Sequence, residues 1–154
     1  MKKKAIHKHI LYSIGILFTV YLAYSICQFL PFENNYANSQ DTISQDQLNR
    51  WVFEINKKHP PPFMVDEETK AFSISAGPGQ FIWKYTMINA TAKELKEINF
   101  IREVQSNLTR DVCNNSELAA YINRGLSIVY MYYGKDGNIA GSVTVNSSKC
   151  QKLQ

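Results

Sequence analysis

The stretch Val65–Asn89, VDEETKAFSISAGPGQFIWKYTMIN, decides the fold, because the Gly-Pro-Gly at its middle either cradles a phosphate or turns the chain. A glycine loop that binds phosphate works by aiming a helix N-terminus at the anion, so a helix must follow it. Here Phe81, Trp83, Tyr85 and Met87 instead alternate with Ile82, Lys84, Thr86 and Ile88. A period of two is the pattern of a half-buried strand. Thr69–Ser75 also reads as a strand, and no Lys-Ser/Thr pair follows the glycines. Gly77-Pro78-Gly79 is therefore a hairpin turn, in which proline sets one φ at about −65° and the flanking glycines can take positive φ. No nucleotide partner is expected.

Working outward, Ser44 and Gln47 have capping-box spacing, and Leu48, Trp51, Val52 and Ile55 share one helical stripe. His59-Pro60-Pro61-Pro62 ends that helix, since proline lacks the N–H the next turn needs. Beyond the hairpin, Thr91 and Glu94 repeat the capping box. Leu95, Ile98, Ile101, Val104, Leu108 and Val112 then recur at three- and four-residue steps, predicting one amphipathic helix of about five turns. NNSELAAYINRG, from Asn114, starts a short third helix that Gly125 closes. Leu126–Tyr133 and Asn138–Asn146 read as strands joined by Gly134-Lys135-Asp136-Gly137, and Asp-Gly between β-rich runs signals a hairpin. The order α-β-β-α-α-β-β predicts an α+β domain with an antiparallel sheet packed on helices.

The N-terminal end has a different character. Ile10–Phe32, ILYSIGILFTVYLAYSICQFLPF, carries no charge. As a helix it would run about 34 Å, against a hydrocarbon core of roughly 30 Å. Lys2, Lys3, Lys4 and Lys8 precede it, so the positive-inside rule places the N-terminus in the cytoplasm and the body outside. The chain divides into a basic tail (1–9), a transmembrane signal-anchor (10–32), a polar linker (33–43) and an exported domain (44–154). A cleaved signal peptide competes with the anchor, because Ala23-Tyr24-Ser25 offers small residues at cleavage spacing. A lipoprotein would need a small residue before Cys27, and Ile26 stands there.

Charge narrows the function. The chain of 154 residues has 17 Lys+Arg and 13 Asp+Glu. With the four N-terminal lysines set aside, the remaining 13 cations equal the 13 acids, so the body is neutral. A neutral body without a basic stripe releases few counterions, which argues against nucleic acid as a partner. Cys113 and Cys150 form the pair expected to be a disulfide after export, while Cys27 lies in the apolar run. His59 is the only exported histidine and abuts three prolines, so neither a metal site, a cofactor nor a catalytic triad is expected. Asp66-Glu67-Glu68 reads as a solvated strand edge rather than acid–base machinery. The most distinctive chemistry is aromatic. Whichever of Trp83, Tyr85, Tyr130, Tyr132 and Tyr133 face solvent, on the sheet face that the helices leave open, are the candidate partner-binding anchors.

Val65-Asp66, Thr69, Ala76-Gly77-Pro78-Gly79, the strand ending Tyr85-Thr86, and Cys113 and Cys150 together resemble a group of small exported proteobacterial proteins of unknown function. The likeness spans about Val65–Cys150, and Ala71 departs from it where a larger apolar residue is expected. A fainter similarity of size and element order links the chain to proteins described as quorum-sensing-regulated virulence factors. The resemblance implies export and this fold, and supplies no catalytic residue. The function expected from sequence is a membrane-tethered periplasmic binding module, single-pass in the bacterial inner membrane, that docks on another envelope protein. Its alternative is a secreted virulence-type or accessory protein released by signal cleavage.

Overall fold

A computed structural model describes residues 42–152. The predicted tail, the span 10–32 and nearly all of the linker lie outside the described residues. Among the described residues, no helix is long and apolar enough to cross a membrane.

The first helix, α1 (Gln45–Lys58), starts at the predicted capping box. Ser44 Oγ accepts from the Gln47 N–H at 3.2 Å, and the Ser44 N–H donates to Gln47 Oε1 at 3.0 Å. Leu48, Trp51 and Ile55 bury its stripe. After the prolines comes a two-residue strand, β1 (Phe63–Met64), absent from the sequence reading because two residues show no period. The central hairpin is β2 (Thr69–Gly77) and β3 (Gln80–Met87). Gly77 pairs with Gln80 across a two-residue turn, and Gly79 takes φ 64° while Gly77 has no positive φ. The turn thus uses the freedom of one glycine, not of both.

The single five-turn helix predicted over Leu95–Val112 is two helices, α2 (Ala92–Glu97) and α3 (Phe100–Asn114). Asn99 breaks them apart at φ 53° and ψ 35°, the left-handed region that asparagine tolerates better than most residues. The stripe reads as continuous because its three- and four-residue steps survive the break, yet Ile98 within it is 37% exposed. The next helix, α4 (Ser116–Asn123), is capped by Asn115, whose Oδ1 accepts from Glu117 and Leu118 N–H at 3.1 and 3.0 Å. Strands β4 (Ser127–Gly134) and β5 (Ile139–Val145) and a short helix α5 (Ser147–Gln151), not foreseen in the sequence, complete the fold.

The sheet runs β1-β2-β3-β4-β5, and it is mixed rather than antiparallel: β3 and β4 are parallel, from Gln80↔Ser127 to Met87↔Gly134. The reason is the crossover. Helices α2 to α4 return the chain to the starting end of β3, and a parallel neighbour requires such a return. Alternate strand residues and the buried sides of α1 to α4 form one core, so the helices share one sheet face.

Two contacts fix the crossover. Lys135 N–H donates to Ala90 O at 2.8 Å, and Asp136 Oδ1 accepts from the Ala92 N–H at 3.1 Å, so the β4–β5 turn holds the start of α2. A Cβ on buried Gly134 would collide with Ala92 N and stand 2.6 Å from Thr91 C, so the approach requires glycine. At the other end Cys113 and Cys150 are bonded, with Cα atoms 5.3 Å apart, joining α5 to the end of α3.

Candidate functional site

The strand alternation sorts the five candidate aromatic anchors. Trp83, Tyr85, Tyr130 and Tyr132 point under the helices at 3%, 0%, 1% and 1% exposure. They form a ladder: Tyr85 stacks on Trp83 at 6.1 Å and on Tyr132 at 5.5 Å, and Phe100 of α3 meets Tyr132 edge-on at 5.3 Å. These four are core, and they leave a partner nothing to touch. Burial pushes the phenols of Tyr85, Tyr130 and Tyr132 well above their usual range, with neighbouring phenols adding to the shift of Tyr85 and Tyr132. Trp83 Nε1 and Tyr132 Oη have no hydrogen-bond partner among the described residues. Ala71, fully buried, pairs with Tyr85 across the β2–β3 ladder, so the small residue where a larger one is expected sits opposite the middle of this stack.

Tyr133 alone of the five faces the other way. It is half-buried and packs edge-on against Phe72 at 5.3 Å. Phe72 is the extra residue of a bulge between Ala71 and Ser73 and is 37% exposed. Ile82, Val129, Ser142 and Thr144 share this face, where alternate strand residues are half-buried or exposed.

The acidic run is structural at two of its three residues. Asp66 Oδ1 accepts from Glu68 and Thr69 N–H, both at 2.8 Å, which folds the entry to β2, and Glu68 Oε1 accepts from Asn89 Nδ2 at 3.2 Å. Among the described residues no group of three His, Cys, Asp or Glu could hold a metal ion.

A second surface went unread in the sequence. Where α2 gives way to α3, a groove of about 1030 Å³ opens along α3 toward Ala140 of β5 and the lysines of the C-terminal segment. Leu95, Phe100, Ile101 and Ala140 supply apolar lining; Lys96, Arg102, Lys149 and Lys152 supply positive charge, with Glu103 as the acid among them. Gly141 lets the wall close, since a Cβ there would stand 2.6 Å from Ile101 Cγ1. The groove depends on the break at Asn99 and on the disulfide that seats α5. An asparagine before an aromatic inside a helical stripe was its one local signal.

The architecture is that of a small α+β domain whose five-strand mixed sheet is backed by helices on one face. Solved structures share this fold at low identity. A Pseudomonas aeruginosa protein described as a candidate secreted protein matches with a TM-score of 0.56 and 16% identity, over 69% of this chain and 95% of its own. EpsS, the pilotin of the Vibrio vulnificus type 2 secretion system, matches with a TM-score of 0.52 and 14% identity, over 70% of this chain and 94% of its own. Likeness at this identity establishes the fold alone. The chain matches no protein-family model and no curated protein.

Proposed function

We propose that the protein is an envelope interaction module, tethered to the bacterial inner membrane by residues 10–32, whose periplasmic domain docks on another envelope protein. The observation that carries this reading is the fold shared with a secretion-system pilotin across 94% of that protein's chain. The Cys113–Cys150 bond fits an oxidising compartment, and the resemblance to small exported proteobacterial proteins points the same way. The module acts by surface complementarity rather than turnover. Its test is copurification and crosslinking of the anchored chain from membranes. Stoichiometric recovery of an envelope protein supports it, and turnover of a small substrate by the purified domain overturns it. A released, secreted protein is the second reading, favoured by the likeness to the Pseudomonas protein. Intact mass separates the two: retention of Met1–Ser25 means a tether, and its loss means release.

A further inference from the structure

We infer that the groove along α3 holds an acidic, apolar-centred segment of the partner protein, an inference that rests on the interaction-module reading. Half-buried Ile101 and Ile98 at the lip, 37% exposed, give the groove its accessible apolar contact. Lys96, Arg102, Lys149 and Lys152 line the groove with a single acid, Glu103, although the body as a whole carries as many acids as cations. Positive charge is therefore concentrated where the surface is concave. Desolvated carboxylates of a partner would complete it, and the cations would steer that partner in.

Both a protein segment and an anionic membrane would be drawn to the lysines. The shape favours the protein segment, because a bilayer surface is flat on this scale while the cations stand around a concave space of about 1030 Å³. From Phe100 to Thr109 the α3 wall runs about 14 Å, enough for a short amphipathic segment laid along it.

The test uses the full chain in its membrane, with a photo-crosslinking amino acid in place of Gln105 in the groove or Thr144 on the open sheet face. The expected result is protein adducts from Gln105 and not from Thr144, abolished when Arg102→Glu and Lys149→Glu are added. Adducts from Thr144 alone would overturn the groove and leave the interaction module standing. Protein adducts from neither position would overturn the groove, and, if no envelope protein copurifies, the interaction module with it. Lipid adducts from Gln105 would overturn the inference in favour of the membrane surface. A companion titration uses two synthetic amphipathic peptides with the same apolar stripe, one bearing glutamates and one lysines. The glutamate peptide should bind, and Arg102→Glu should weaken it roughly tenfold. Equal binding of the two peptides, no binding of the glutamate peptide, or affinity unchanged by Arg102→Glu counts against the inference.

Discussion

Tyr132 shows how a residue chosen for its chemistry can serve only packing. Its ring lies between Tyr85 and Phe100, and its hydroxyl is buried without a partner. An unmet hydroxyl costs about 1–3 kcal/mol in desolvation, so Tyr132→Phe should melt no lower than the parent at neutral pH. Alkali adds a second test. Tyr85, Tyr130 and Tyr132 keep their protons in the fold above the ordinary value of 10.0, while the unfolded chain ionises there. The unfolded state then binds fewer protons, so stability present below about pH 10 falls as the pH rises further. Denaturation midpoints followed from neutral pH upward should drop beyond that point, with three tyrosines titrating only on unfolding; Tyr132→Phe should soften the drop. Asp136 has the opposite sign. The side-chain hydrogen bond from Asn138 and the Ala92 N–H lower its pKa, so its contribution fades only as the solution becomes acidic. Period-two aromatics were legible as strand residues, whereas which side of the sheet they took was not, because sidedness is set by what packs on the sheet and not by the strand itself.

At the level of elements, the two glycines of the central turn separate cleanly. Gly79, at φ 64°, occupies backbone space that a β-branched residue strongly resists, so Gly79→Val should destabilise by more than about 1 kcal/mol. Gly77→Ala should be tolerated, because its Cβ would meet nothing closer than Ile82 Cδ1 at 3.4 Å. Thermal melts of the two variants check this, and equal losses would mean that the turn strains both positions. Turns and caps were readable from sequence because each is decided within four residues: both capping boxes and the Gly77–Gly79 turn stand where their residues put them. Pairing was not. The parallel β3–β4 ladder joins residues 47 apart, from Gln80 to Ser127, and nothing in either strand records which edge the other will reach. The break at Asn99 escaped for a related reason, since a side chain that tolerates the left-handed region does not by itself demand it.

For the whole molecule the Cys113–Cys150 bond closes a loop of 37 residues containing α4, β4 and β5. In the chain-entropy model that loop contributes roughly 4 kcal/mol, so Cys113→Ser with Cys150→Ser should lower the denaturation midpoint by an amount equivalent to several kcal/mol. Because α5 carries Lys149 beside Cys150, the double variant should also weaken the glutamate peptide more than its loss of stability explains. The same bond has a mechanical consequence. Tension applied between the first described residues and Lys152 would pass from α3 directly into α5, leaving the enclosed hairpin and helix slack and out of the load path. A single-molecule pulling experiment should therefore release a contour length shorter by about 120–130 Å in the oxidised protein than in the reduced one, the length of the 37 residues shielded by the bond. A domain held to a membrane at one end and gripped by a partner at its groove would thus bear force through its first helices and central hairpin, while α4, β4 and β5 stay shielded behind a covalent strut.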